Sequence, residues 1–91
     1  MSQKFSLGKL VITPGAKEAL EESDEDAMFF ITRHATGDWG VVREEDQRRN
    51  DEAVREGERI LSAYVLLSDV RIWVITEWDR SVTTILLPED Y

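Results

Sequence analysis

The chain lacks cysteine, has a single histidine, and contains only five glycines and two prolines among its 91 residues. Without cysteine it forms no disulfide bond and no zinc site with thiolate ligands. Its longest apolar runs are five residues, whereas a membrane-spanning helix needs roughly 18 to 20. The first ten residues, MSQKFSLGKL, also lack the apolar stretch of a secretory signal. These absences predict one soluble, cytoplasmic domain over residues 1–91.

Acidic side chains outnumber basic ones by 19 to 11, which gives a net charge of −8 and a pI near 4.5. Such a molecule repels DNA, RNA and anionic membranes, because binding to them depends on lysine and arginine that neutralise phosphates. The same field attracts basic protein surfaces. We therefore expect a basic protein partner and neither nucleic-acid nor membrane binding, although negative charge also serves solubility alone.

The first third of the chain predicts a strand and two short helices. An extended segment lies within residues 4–13, and Thr13-Pro14 is typical of a helix start. This first helix is expected to run to about Glu22. Ser23 and Asp26 then fit a capping box, which predicts a second helix over about 24–34.

The remainder predicts a charged helix followed by a sheet. Acid–base pairs at i,i+4 favour a third helix over about 44–56, stopped by Gly57. Three alternating, β-branched runs follow, with short connectors that favour an antiparallel meander. The runs span 59–67, 70–78 and 81–87. The expected fold is α+β, with an N-terminal strand and two to three helices packed on a three- to four-stranded antiparallel sheet.

Few side chains offer catalytic chemistry. The phosphate-binding motifs G-x-x-x-x-G-K-[ST] and G-x-G-x-x-G are absent, and the acids lack the spacing of a calcium loop, so we expect neither cofactor nor metal. His34 is a candidate general base, because imidazole titrates near neutral pH. Arg80 and Thr83 are candidates to hold a phosphate. Each also has a structural interpretation, as a helix-end histidine, a hairpin arginine and an ordinary strand threonine.

A dense row of carboxylates is the candidate partner-binding feature. In the structural interpretation, the row is a solvated face with helix-capping acids. In the functional interpretation, it imitates the phosphates of a nucleic-acid duplex and binds the basic groove of a partner protein, with tryptophan side chains as anchors. The candidate partner-binding residues are Glu21, Glu22, Asp24, Glu25, Asp26, Trp39 and Trp73.

Four segments of the chain resemble a family of short proteins carried by bacterial plasmids, phages and other mobile elements. They are RHATGDWG (33–40), ND-x-A (50–53), G-x-RILSAY (57–64) and IWVITEWDRSVTTILLPEDY (72–91). The resemblance implies a mobile-element setting and no particular activity. The order of elements is also similar to that of the barnase–EndoU–RelE class of ribonucleases, a likeness that would make His34, Arg80 and Thr83 the catalytic residues.

Three functional hypotheses follow. The first is a non-enzymatic, acidic binding protein of a mobile element, which docks on a basic, nucleic-acid-binding host protein such as a defence nuclease or a regulator and inhibits it, as a DNA mimic would. The second is a small, metal-independent ribonuclease or its degenerate relative. The third is a homodimeric structural protein joined through a sheet face or an edge strand.

Overall fold

The computed structural model describes residues 2–91, which form three α-helices and a four-stranded sheet. The predicted α+β fold is confirmed. None of the helices in this part of the chain is both long and apolar enough to cross a membrane. In chain order the elements are β1 (Lys9–Ile12), α1 (Pro14–Ser23), α2 (Ala27–Ala35), α3 (Glu44–Glu56), β2 (Ile60–Val65), β3 (Arg71–Thr76), β4 (Val82–Leu86) and a final 3₁₀ turn (Pro88–Asp90).

The sheet has the strand order β1-β4-β3-β2 and is mixed. β2, β3 and β4 form the predicted antiparallel meander, but β1 lies parallel to β4, with Lys9 opposite Val82 and Ile12 opposite Ile85. The prediction of a purely antiparallel sheet is therefore wrong for this strand. Apolar alternation shows which face a side chain points to, and this is the same for either strand direction.

The boundary between α1 and α2 differs from the prediction. Ser23 is the last residue of α1 rather than the cap of α2, and its hydroxyl donates to the Glu25 carboxylate. Asp24 ends α1 in a left-handed conformation with φ 55°. Asp26 caps α2 instead, since its carboxylate accepts a hydrogen bond from the Met28 N–H at 2.9 Å.

The other helix boundaries agree with the sequence. Thr13 caps α1 by accepting the Ala16 N–H at 3.2 Å, directly before Pro14. α3 begins and ends where the charge pattern places it, and Gly57 follows it in a left-handed conformation. These signals are local, which explains why the sequence alone suffices to find them.

The helices cover one face of the sheet. Apolar residues of α1 and α2, such as Leu20 and Phe30, pack with Tyr64 and with Ile72 of β3, while Ala53 of α3 packs in a second cluster. The opposite face, called here the outer face, carries residues such as Trp73. The side chain of Tyr91 folds back to it, with its ring centroid 5.8 Å from that of Trp73.

Two sets of hydrogen bonds cover the β2 edge of the sheet. The segment around Gly40 pairs parallel with β2, through hydrogen bonds from the Val41 N–H to the Ala63 carbonyl (2.7 Å) and from the Ala63 N–H to the Trp39 carbonyl (3.1 Å). The Asn50 side chain of α3 pairs with both the carbonyl and the N–H of Leu61. The outward backbone groups of Leu61 and Ala63 are thereby satisfied within the molecule.

Gly40→Ala is expected to lower the free energy of unfolding by more than about 2 kcal/mol. Gly40 has φ 76°, and a Cβ there would overlap the backbone carbonyl oxygen of Ala63, so the edge pairing would have to separate. Gly57→Ala is the matched control, because Gly57 has φ 71° but open space around the added Cβ. That variant is expected to lose about 1 kcal/mol, from backbone strain alone. Urea unfolding of both variants measures the difference, and equal losses would contradict the edge contact.

Candidate protein-binding surface

His34 lies in the core, with 0% of its surface exposed. It comes from α2 and faces the sheet, where its Nδ1 lies 2.6 Å from the hydroxyl of Ser62 and its Nε2 lies 2.9 Å from that of Thr76. The Thr76 hydroxyl is in turn 2.7 Å from that of Thr83, which donates to the carbonyl of Leu7 at 2.7 Å. Both ring nitrogens are therefore occupied by a buried hydrogen-bond chain.

The direction of this chain fixes the tautomer of the imidazole. A carbonyl only accepts, so the Thr83 hydroxyl donates to Leu7 and accepts from Thr76. The Thr76 hydroxyl must then accept from Nε2–H of His34, which leaves Nδ1 to accept from Ser62. Burial, together with the nearby positive charge of Arg80, lowers the pKa of His34 to about 3. His34 is thus neutral and carries its proton on Nε2.

Arg80 serves the fold at the end of α3. Its guanidinium donates to the carbonyls of Ala53 (2.8 Å) and Glu58 (2.6 Å) and to that of Glu77 (3.1 Å). Positive charge at a helix C-terminus satisfies free carbonyls and suits the helix dipole. These contacts agree with the structural interpretation of Arg80 as a hairpin arginine. Since Thr83 is also fully buried, the three catalytic candidates form no site open to a substrate.

Metal ligands are not gathered anywhere in the part of the chain that the structure describes. Within residues 2–91, no group of three or more histidine, aspartate or glutamate side chains has a geometry suited to a metal ion. The surface feature that stands out is instead the distribution of charge.

One end of the molecule, called here the acidic pole, carries the whole net charge. It comprises α1, the turn between α1 and α2, the turn between β2 and β3, and the 3₁₀ turn. This region holds nine of the 19 acidic residues and one of the 11 basic ones, Lys17, and so accounts for all eight net negative charges. The nine acids are Glu18, Glu21, Glu22, Asp24, Glu25, Asp26, Asp69, Glu89 and Asp90.

Direct contacts bring the segments of the acidic pole together. The Glu25 carboxylate accepts the backbone N–H of Leu67 at 2.8 Å, and the Ser23 hydroxyl accepts that of Ser68 at 3.3 Å, which ties the β2–β3 turn to the helices. Glu18, Glu22 and Glu89 line one shallow pocket nearby. The pole is therefore one surface rather than a set of scattered acids.

The five predicted acids divide into two roles. Glu25 and Asp26 hold the two turns described above, so part of their function is structural. Glu21, Glu22 and Asp24 are exposed, and within residues 2–91 their side chains make no hydrogen bond or ion pair. These three carboxylates are consequently available to a partner.

Exposed apolar side chains lie within or beside the acidic pole and were not predicted as site residues. Phe29 is 60% exposed and Leu67 is 87% exposed, and Met28 is also at the surface. Phe29 stands next to Phe30, whose ring fills the core, and neighbouring residues on a helix point in different directions. The double phenylalanine was the available signal, since only one of its members is able to face the core.

The two predicted tryptophan anchors lie elsewhere. Trp39 is only 4% exposed, and its Nε1–H donates to the Asp51 carboxylate at 3.0 Å, so its role as a surface anchor was wrongly predicted. Trp73 is half-buried on the outer face, where it lines a separate cleft of about 430 Å³ together with Tyr91 and Arg59. Neither ring belongs to the acidic pole.

Comparison with known proteins identifies no relative from which the function of this surface could be inferred. No family model, no curated protein and no solved structure matches the chain.

Proposed function

We propose that the chain is a non-enzymatic binding protein that docks its acidic pole on a basic, nucleic-acid-binding protein and blocks that protein's binding groove. The observation that carries this proposal is the segregation of charge. All eight net negative charges lie at one end, whereas the acidic and basic residues of the rest of the chain balance, ten against ten. Such an arrangement steers a cationic partner to one orientation and accelerates encounter.

The apolar side chains beside the pole support a protein partner over a small cation. Phe29 and Leu67 expose large apolar surfaces at the rim of the carboxylates, as does Met28. Interfaces of this kind combine a few apolar anchors that exclude water with charges that set orientation. Phe29 is also held in place, because it packs edge-on against Phe30 at 5.2 Å.

Competition with nucleic acid follows from this choice of partner. A protein surface binds DNA or RNA through lysine and arginine side chains that contact the phosphates. A row of carboxylates binds these same lysine and arginine side chains, so it competes with the nucleic acid. On the resemblance to proteins of mobile elements, the partner belongs to the host, as a defence nuclease or a regulator.

The test is affinity purification of the tagged protein from host lysate at low and high salt, with mass spectrometry of what is retained. We expect a basic protein that is retained at low salt, lost at high salt, and displaced by heparin or duplex DNA. Electrostatic binding weakens with salt because the screening length falls from about 10 Å at 0.1 M to about 3 Å at 1 M. A retained partner that is indifferent to salt and to polyanions would refute the proposal, as would the absence of any salt-sensitive partner.

A further inference from the structure

We propose that the chain forms a symmetric homodimer in which the β1 strands of two copies pair antiparallel. β1 is the terminal strand of the sheet, and within residues 2–91 it pairs only with β4. The β2 edge, by contrast, is closed by the Gly40 segment and by the Asn50 side chain. The molecule thus protects one edge of its sheet and leaves the other open.

The open edge has free backbone groups at defined positions. The N–H groups of Lys9 and Thr13 donate to β4 at 3.0 Å each, to the carbonyls of Ser81 and Ile85. Alternate residues of a strand direct their backbone groups to opposite sides, so those of Leu10 and Ile12 point away from the sheet. A row of unpaired N–H and C=O groups is a template for another strand.

Apolar side chains line this edge on both faces. Leu10 is 44% exposed and lies on the helix-covered face, while Val11 is 39% exposed and lies on the outer face. Edge strands that stay unpaired usually carry charges or proline in such positions. Here the single charge of β1 is Lys9, at its beginning. The side chains therefore favour burial against a second strand.

The backbone selects one register. Antiparallel pairing centred on Val11 places Leu10 opposite Ile12 of the second copy, and the reverse, so that all four free N–H groups and carbonyls of each strand segment are used in hydrogen-bonded pairs. Val11 then faces Val11 of the second copy on the two-fold axis. A register shifted toward the N-terminus would need Gly8 in extended backbone, but Gly8 has φ 65°.

Charge complementarity favours a second copy in this arrangement. Lys9 comes opposite Thr13 of the second copy, and the Thr13 hydroxyl holds the Asp90 carboxylate at 2.7 Å. Two symmetric pairs of Lys9 with Asp90 result. Because β1 leads directly into α1, antiparallel strands also place the two acidic poles at opposite ends of the dimer, where they repel each other least.

A single introduced cysteine tests the register, since the natural chain has none. Opposed residues of a non-hydrogen-bonded pair have Cβ atoms about 4.5 to 5.5 Å apart, close enough for a disulfide after small adjustment. Mild oxidation is therefore expected to link most of Val11→Cys into dimers. Val65→Cys is the matched control, because Val65 is similarly exposed but lies on β2; it is expected to stay monomeric.

A second substitution separates pairing from random collision. Adding Leu10→Pro removes an N–H that points away from the sheet and leaves the bonds to β4 intact, so the fold is retained. It removes two hydrogen bonds per dimer and is expected to reduce cross-linking of Val11→Cys roughly tenfold or more. If the proline variant fails to fold, Val11→Lys replaces it. This change places two lysines opposite each other on the two-fold axis, and light scattering is expected to show a monomer.

Light scattering of the natural protein is expected to give twice the chain mass of 10.5 kDa, falling toward the monomer on dilution. A monomer at all concentrations would overturn the proposal. So would equal cross-linking of Val11→Cys and Val65→Cys, or undiminished cross-linking of Val11→Cys when Leu10→Pro is added to a folded chain.

Discussion

His34→Ala is expected to lower the free energy of unfolding by about 4 kcal/mol, because it combines a core cavity with the loss of two buried hydrogen bonds. The imidazole is fully buried, and its removal leaves the Ser62 hydroxyl without a partner and the Thr76 hydroxyl with Thr83 alone. Domains of this size have total stabilities of roughly 5 to 15 kcal/mol. The variant is thus expected to lose a large share of its stability and to unfold at a much lower urea concentration than the natural protein, as measured by tryptophan fluorescence.

The same residue gives the protein a defined sensitivity to acid. The pKa of His34 is about 3 in the folded state against 6.5 when unfolded. Its contribution is therefore fully present above pH 6.5 and is lost as the pH falls toward 3, by about 1.4 kcal/mol per pH unit. His34 is the only histidine, so between pH 5 and 6.5 no other side chain has an ordinary pKa in the range.

His34→Gln separates this titration from the loss of packing. Glutamine keeps a donor and an acceptor but does not ionise, so the unfolding free energy of this variant is expected to be flat between pH 5 and 6.5. An unchanged slope in the variant would contradict the assignment. If the variant does not fold, NMR of the ring nitrogens in the natural protein decides the matter, because the buried chain requires a neutral Nε2–H tautomer throughout this range.

The structural role of His34 also complicates a test of the ribonuclease hypothesis by mutation. Loss of activity or of toxicity in His34→Ala would ordinarily be taken as the signature of a general base. Here a loss of activity is also expected from the lower stability of the variant. Arg80 raises the same difficulty, since its guanidinium closes the end of α3 and the β3–β4 turn. Activity measurements on these variants are informative only beside a measurement of folding.

The sequence predicted best those features that are set by neighbouring residues. α3 and its stop at Gly57 follow from charge spacing and from one glycine, and the meander follows from alternation and short connectors. The direction of β1 and the true cap of α2 escaped prediction. Both depend on contacts between residues that are far apart in the sequence. β1 pairs with β4, some 70 residues later, and the Ser23 hydroxyl accepts a hydrogen bond from the β2–β3 turn.

The candidate site was predicted in part. The acids were found because charge is visible in composition, but their gathering at one end depends on the β2–β3 turn meeting Glu25. Trp39 was predicted to be a surface anchor of the partner-binding site. It is buried because the glycine that follows it pairs with the β2 edge and carries the ring inward against α3. The sequence around Trp39 does not indicate that this segment pairs with β2.

Neutralising three free carboxylates of the acidic pole is expected to have the largest effect on partner binding. The variant combines Glu21→Gln, Glu22→Gln and Asp24→Asn, none of which removes a hydrogen bond or ion pair within residues 2–91. We expect the association rate with the salt-sensitive basic partner to fall roughly tenfold or more at low salt. Stopped-flow or surface-based kinetics at several salt concentrations measures it, and the rates of variant and natural protein should converge at high salt.

The matched control removes the same number of charges from α3 and the residue after its glycine. Glu52, Glu56 and Glu58 are exposed, and their carboxylates are likewise free of ion pairs within residues 2–91. Their change to glutamine alters the net charge equally, so a partner that responds only to total charge would be slowed as much by this variant. Because steering depends on where charge lies, we expect a change of no more than about twofold. Equal slowing by both variants would mean that the acids keep the protein soluble without forming a binding surface.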